Sequence, residues 1–396
     1  MTTPLALHGG PPVRSRMLPY GGQLIEADDI QAVTRALEDD WITTGPRVAE
    51  FERAVAARVG ARHAVAVNSG TAALHAAAFA AGIGEGDEVI VPALTFAASA
   101  NAVLYLGGRP VFCDVRADTL NLDPALAAHA IGPRTRAIVT VDFAGQPSDL
   151  GLLRALADRR GLVLIDDAAH ALGAAYRGAP LGTQAQLTTF SFHPVKAITT
   201  GEGGMVVTDD AERAARARRF RNHGISTEAA ARHDAGAWYY EMVDLGFNYR
   251  LPDVQCALGI SQLAKLDRFL ARRTAIAEHY RRALSAVPGV LVPAVADGVR
   301  HAWHIFPILL DPDRVRAGRA EVFAALRAEG IGVTVHYVPV YRHPYYQRLG
   351  YPKALCPVAE SAHERLLTLP LSARMLDADA DDVVAAVDKV FRHFAC

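Results

Sequence analysis

Lys196 stands in the run TTFSFHPVKAITTGEGGMVVTD, residues 188–209. The run opens on Leu187, Thr188, Thr189 and Phe190 and closes on Gly204-Met205-Val206-Val207-Thr208, two stretches that read as buried strands. Between them lie the lysine, a proline, paired threonines and glycines, with Ser191 and His193 just upstream. Lysine is the side chain that forms Schiff bases with carbonyl compounds. A loop bracketed by core strands holds such a group rigidly, and glycines let another molecule approach the backbone. The plain alternative is a solvated loop lysine.

Two other groups invite chemistry. In Ile165-Asp166-Asp167-Ala168-Ala169-His170, two carboxylates follow an apolar strand directly, at the strand end where ligands bind in open α/β sheets. They could equally cap a helix. Asn68-Ser69-Gly70-Thr71 is a turn of small residues between a strand and a helix, which would offer backbone N–H groups to a phosphate or simply cap the helix. One chemistry uses all three groups. Pyridoxal phosphate takes a lysine for its aldehyde, an anion site for its phosphate and a carboxylate beside its pyridine nitrogen, which then stays protonated so that the ring accepts electrons. Phe96, in Pro92-Ala93-Leu94-Thr95-Phe96, follows a strand at the same rim and would cover one face of the ring.

The elements that must position these residues read as an α/β domain. Strands at 64–67, 88–91, 110–115, 137–141 and 162–165 alternate with helices at 96–106 and 150–160 and with an alanine-rich helix ending near Gly82. Short apolar β runs between helices of about ten residues predict a mostly parallel sheet. Upstream, Asp28-Asp29 open a helical pattern and residues 48–59 a second one. After Asp209 come a basic helix, 211–221, a loop over 227–240 and one long helix from Leu251 to about Ala286, stopped by Pro288-Gly289. Strands at 305–310 and 332–337 with helices at 321–329 and 380–394 make a smaller α+β unit. The expected division is an arm over 1–20, a large domain over 21–265 and a small C-terminal domain over 266–396.

The chain has 396 residues, 51% hydrophobic and 21% charged, with 41 Lys plus Arg against 42 Asp plus Glu. That balance gives no electrostatic reason to expect nucleic acid or an acidic membrane surface. Cys113, Cys256, Cys356 and Cys396 lack CxxC spacing, which predicts neither disulfides nor zinc and suits a reducing cytosol. No signal-peptide core and no membrane-length apolar stretch is visible, so a soluble cytoplasmic protein is expected. His223, His301, His304 and His343 show no metal spacing and read as packing or surface residues, and the arginines of 213–221 as a solvated face.

Long motifs run through the chain: YGGQLIEADDIQAV, WITTGPRVAEFE, NSGTAAL, VIVPALTFAASANAV, DDAAHALGA, SFHPVKAITTGEGGMVVTD, GFNYRLPDVQCALG and VHYVPVY. By these the sequence resembles the DegT/StrS sugar-aminotransferase family of pyridoxal-phosphate enzymes, within the aspartate-aminotransferase-like fold (fold-type I). The resemblance covers nearly the whole chain. It implies Lys196 as the Schiff-base lysine and general base, and Asp167 as the partner of the pyridine nitrogen. His170 would sit beside the cofactor's 3-hydroxyl, with Phe96 on the ring and Gly70, Thr71 and Ser191 at the phosphate. Asn248 would reach that phosphate from a second subunit, which implies a homodimer with shared active sites. Thr44, Gly45, Arg250, His336 and Tyr337 match stretches that line the sugar side.

The implied reaction moves an amino group from glutamate to a nucleotide-linked keto-sugar, with pyridoxamine phosphate as the intermediate form. Some relatives that dehydrate sugars carry histidine where Lys196 stands, so the lysine favours aminotransfer. The motifs look most like transaminases acting at C4 of a UDP-4-keto-6-deoxy-hexosamine. The leader LALHGGPPVRS is closer to cyclitol and antibiotic-sugar aminotransferases, and Gly22 stands where the former group commonly has a basic residue. A keto-cyclitol or antibiotic keto-sugar is therefore the alternative substrate. A pyridoxal-phosphate-binding regulator without turnover is the alternative class, against which the complete set Lys196, Asp167, Ser191 and Asn248 counts.

Overall fold

The computed structural model describes residues 4–226 and 238–396. Most of the loop expected over 227–240 therefore lies outside the described residues.

Seven strands form the central sheet, in the order His63–Val67, Gly204–Thr208, Leu187–Ser191, Val163–Asp167, Thr135–Val141, Glu88–Pro92, Arg109–Cys113. Gly204–Thr208 runs antiparallel to both neighbours, and the remaining pairs are parallel. The sheet is covered on both faces, which is why its strands are rich in Val, Ile and Ala rather than alternating with polar residues. Val65, Val67, Val91, Val139 and Ile165 pack on one side. Ala64, Ala66, Ile90, Ile138 and Leu164 pack on the other. The helix Gly70–Ala80 is buried along nearly its whole length, and its alanines let it lie close against the first side.

A second, antiparallel sheet of Val290–Leu291, Phe306–Leu310 and Leu366–Leu369 packs with the helix Asp377–His393 around its own core, which includes Phe306, Phe391 and Tyr280. The N-terminal residues join this core rather than trailing free. Leu5 and Leu18 are buried in it, and the carboxylate of Glu329 accepts from the N–H groups of Ala6 (2.8 Å) and Val13 (3.0 Å).

Three expectations need correction. The long helix breaks at Lys265 into Asp253–Ala264 and Leu266–Leu284 with no proline or glycine at the break. The ammonium of Lys265 is fixed there by Asp28 (2.8 Å) and Asp29 (2.7 Å), the carboxylates at the start of the helix Ala27–Glu38. The segment 332–337 is not a strand. Its Gly332 N–H goes to Leu18 O, only Thr334 bridges the sheet, and the unforeseen strand Leu366–Leu369 takes the place beside Phe306–Leu310. The arginines of Ala211–Arg221 are not a solvated face, because Arg221 is buried against Glu52 and Ala66 O, and Arg216 and Arg218 donate to the carbonyls of Phe79 and Ala64.

The four cysteines are free thiols, three of them buried. Among the described residues no helix is long and apolar enough to cross a membrane.

Candidate active site

The two aspartates at the end of Val163–Asp167 point to opposite faces of the sheet, as successive strand residues must. Their surroundings differ accordingly. Asp167 accepts a 2.6 Å hydrogen bond from Ser99 Oγ and a longer one, 3.3 Å, from the N–H of Ala169. Burial raises its pKa, while Ser99, Ala169 and the nearby Lys196 ammonium pull the other way. Among the described residues neither carboxylate oxygen of Asp166 has a partner, and the neighbouring carboxyl groups are those of Asp142 and Asp167. Its pKa is raised well above the carboxylate range by burial first and by those two neighbours second. Asp166 is thus held as a neutral acid, and Asp167 is the carboxylate with donors and a cation beside it.

Lys196 is fixed by its loop. After Ser191 the chain leaves the sheet, and Phe192 closes the loop at both ends, its N–H donating to Gly203 O (2.9 Å) and its carbonyl accepting from Thr200 N–H (3.0 Å). Gly203 is required, since a Cβ there would stand 2.2 Å from Thr200 Oγ1. The buried guanidinium of Arg273 donates to the carbonyls of Val195 and Lys196 (3.4 Å each) and to those of Trp303, His304 and Leu371. The lysine side chain enters a region of low polarity, which lowers its pKa to about 8. Asp167 opposes that shift, and the Arg273 charge adds to it.

Above the lysine lies a cluster of rings. Lys196 Nζ is 3.4 Å from His304 Nε2, and the His304 ring packs on His170 with centroids 4.2 Å apart. Tyr337 Oη lies 3.1 Å from His170 Nε2, and the Tyr337 ring is 6.1 Å from that of Phe96. His336 Nδ1 lies 2.9 Å from Thr368 Oγ1, and burial lowers its pKa to about 4. Phe96 itself is 61% exposed, so one ring face is open to a planar ligand.

The turn before Gly70–Ala80 lies next to the end of Leu187–Ser191. Ser69 caps the helix by accepting from the Ala72 N–H (3.0 Å). A Cβ on Gly70 would come 2.8 Å from Ser191 Cβ and 3.0 Å from its Oγ, so only glycine keeps the space between helix start and serine. Thr71 follows in the first turn of that helix.

The remaining expected residues are held by contacts of their own. Gly45 N–H donates to Asp253 (2.7 Å) and Thr44 adopts φ 54°, fixing the turn before the helix Pro46–Val59. Arg250 donates to Asn222 Oδ1 (2.7 Å). Asn248 is exposed, and its carbonyl accepts from the side chain of Asn68 (3.3 Å). Among the described residues no hydrogen bond or ring contact joins Thr44, Gly45 or Arg250 to the Lys196 cluster.

Three residues of the cluster were not expected there. Ser99 gives no sign in sequence beyond being small, and Arg273 is one of many helical arginines. His304 reads as packing, because nothing in HAWHIF indicates which histidine turns inward.

The residues fit pyridoxal phosphate. Lys196 is an amine with a depressed pKa, the Asp167 carboxylate lies on the lysine side of the sheet, and Gly70 and Ser191 leave a cradle at a helix start. The ring nitrogen Nδ1 of His170 is buried without a partner.

Comparison with known proteins agrees with this chemistry. The model of the DegT/DnrJ/EryC1/StrS aminotransferase family matches residues 23–388. The chain is 44% identical over 382 residues to the spore coat polysaccharide biosynthesis protein SpsC of Bacillus subtilis, covering 96% of this chain and 98% of that one. Among solved structures it is similar to Helicobacter pylori PseC, an aminotransferase involved in the biosynthesis of pseudoaminic acid. There the identity is 31%, the TM-score 0.89, and the cover 96% of this chain and 100% of that one. Spr1654 from Streptococcus pneumoniae in its PLP form matches with a TM-score of 0.89 at 30% identity, covering 96% of this chain and 99% of that one. The protein belongs to the DegT/DnrJ/EryC1/StrS family and is a pyridoxal-phosphate-dependent sugar aminotransferase.

Proposed function

We propose that the chain transfers an amino group from glutamate to C4 of a nucleotide-linked keto-deoxysugar, with Lys196 as the base and Asp167 as the carboxylate at the cofactor's nitrogen. The observation that carries the catalytic part is the buried Lys196 amine, 3.4 Å from His304, with the Asp167 carboxylate held by Ser99 close enough to oppose its loss of charge. When bound, pyridoxal phosphate supplies the electron sink that makes the donor's α-proton removable. Lys196 would hold that proton at Nζ and pass it across the site, and its lowered pKa keeps a useful fraction neutral near pH 7. Asp167, held by Ser99, would favour a protonated nitrogen opposite it. Gly70, Thr71 and Ser191 hold the phosphate, and Phe96 covers the ring. His170 and Tyr337 orient the substituents on the far edge, and Tyr337 with His336 faces the sugar.

The sugar assignment is supported by the full-length similarity to PseC and SpsC. Gly22 also has a positive charge beside it, because the guanidinium of Arg374 lies 2.8 Å from where a Gly22 side chain would begin. A basic group thus stands beside position 22 from another part of the chain.

Asn248 is read as serving the other site of a homodimer. It borders a segment whose Trp238, Met242, Val243, Leu245 and Phe247 are exposed apolar side chains. Such a surface is what a contact with another chain would cover.

The test is a panel of UDP-, dTDP- and GDP-linked 4-keto-sugars and keto-cyclitols with glutamate, read by product mass. A product of the keto-sugar mass plus one amination supports the reading, and amination of the cyclitol alone overturns it. Lys196→Ala should lose about 10²–10⁴ in turnover.

A further inference from the structure

His304 read in sequence as a packing or surface residue, yet the backbone forces its ring into the centre of the site. The segment Ala302–His304 is bonded to the loop at 143–145, with Ala302 N–H donating to Gly145 O and His304 N–H to Ala144 O (both 2.9 Å). Both sides of this contact are strained. Ala144 has φ 59° and Trp303 has φ 49°, left-handed conformations in non-glycine residues. Gly145 admits no side chain, since a Cβ would stand 2.8 Å from His170 O and 3.1 Å from His304 N. The Trp303 ring stacks on His301 at 3.8 Å, and Arg273 holds the Trp303 and His304 carbonyls. Strain of this kind persists only where surrounding structure enforces it, and here what it secures is the place of one imidazole.

That imidazole has Lys196 Nζ at 3.4 Å from Nε2 and the His170 ring at 4.2 Å. The groups facing the amine are His304, His170, His336, the Asp167 carboxylate and the Arg273 guanidinium. We propose that His304 is the positioning residue for Lys196: whenever the amine is free of the cofactor, neutral His304 accepts an N–H from it at Nε2 and keeps it facing the reacting carbon. The inference rests on the reading of Lys196 as the base. Burial and the lysine charge keep the ring of His304 neutral, its pKa lowered well below 6.5. A protonated lysine can donate to Nε2 only if the ring proton is on Nδ1, so the proposal requires that tautomer, with Nδ1 buried and without a partner among the described residues.

An acceptor on a charged amine favours the charged form. Removing it should therefore lower the pKa of Lys196. The cofactor-free protein is labelled with acetic anhydride across pH 6 to ~10, and acetylation of the Lys196 peptide is read by mass spectrometry. Wild type should show a midpoint near 8. His304→Leu and His304→Phe should lower it by about one pH unit, and His304→Gln, which keeps an acceptor, should restore it. In the glutamate half-reaction the apolar variants should lose about tenfold in kcat with KM unchanged, and Gln should recover most of that. An unaltered midpoint in the apolar variants overturns the proposal, as does failure of Gln to restore it. Imidazole 15N spectra of the cofactor-free wild type need no variant. A proton on Nδ1 of His304 at pH 7 agrees with the proposal, and one on Nε2 overturns it. Lys196→Ala separates the two readings. Full activity in that variant removes the base assignment itself, whereas a dead Lys196→Ala beside an unaltered His304→Leu midpoint removes only the positioning role.

Discussion

Adjacent carboxylates at 166 and 167 are alike in sequence and opposite in environment. Asp167 has Ser99 at 2.6 Å and a lysine nearby, whereas Asp166 has no donor at all. The strand shows that acids stand at its end, but which one stays ionised depends on Ser99, a residue 68 positions away that nothing in its own stretch singles out. Ser99→Ala should remove a charge-assisted bond of about 1.5–3 kcal/mol, raise the pKa of Asp167 further and slow the glutamate half-reaction at least tenfold. Stopped-flow absorbance with unchanged donor KM is the expected result. Asp167→Asn should slow the same step more, and Asp166→Asn should leave it nearly unaltered.

Lys196 also carries a pH signature in the cofactor-free chain. Its folded pKa of about 8 lies below the ordinary 10.5, so between those values the unfolded chain binds the extra proton. Stability from this residue therefore rises with pH through that window, and the penalty is complete below it. Urea midpoints of the cofactor-free protein should show that rise, and Lys196→Met should flatten it.

At the scale of elements, the parallel sheet was legible because its strands are short apolar runs between helices of ordinary length. The strand Leu366–Leu369 was not, because LLTL is too short to be told from the end of the helix Pro357–Arg365 before it. The false strand at 332–337 shows the converse. Its β-branched residues suit a sheet, but Leu18 claims its backbone from a distant part of the chain. Likewise the turn at Gly70 was recognisable as a phosphate cradle in principle, while the reason for the glycine, the approach of Ser191, exists only after two distant elements meet. Gly70→Ala should push that serine away and weaken cofactor binding by tenfold or more with the fold retained, as equilibrium dialysis of pyridoxal phosphate against circular dichroism would show.

For the whole molecule, the partner-subunit role proposed for Asn248 has a decisive mixing experiment. If Asn248 serves the neighbouring subunit, Lys196→Ala and Asn248→Ala protomers should each be inactive alone. Unfolded together and refolded, they should regain about a quarter of wild-type activity, since half the dimers are mixed and each mixed dimer has one intact site. No recovery would mean that Asn248 acts within its own chain. Leu245→Asp should shift the sedimentation coefficient toward a monomer and abolish turnover together. A dimer would be a property that composition could not reveal, because exposed apolar residues are seen as a patch only when the fold brings them to one surface.

Arg273 gives the molecule one further property. Its five carbonyl partners belong to three distant stretches of chain, at 195–196, 303–304 and 371, so the reactive loop is fastened to the sheet that contains Phe306–Leu310. Substrate preference in such a chain is not portable by exchanging its C-terminal third alone. A chimera joined near residue 290 would import a foreign seat for this guanidinium and misplace the amine even where every catalytic side chain is retained. Breeding new sugar specificities from this scaffold would therefore have to move residues 273, 303–304 and 371 as one inherited unit.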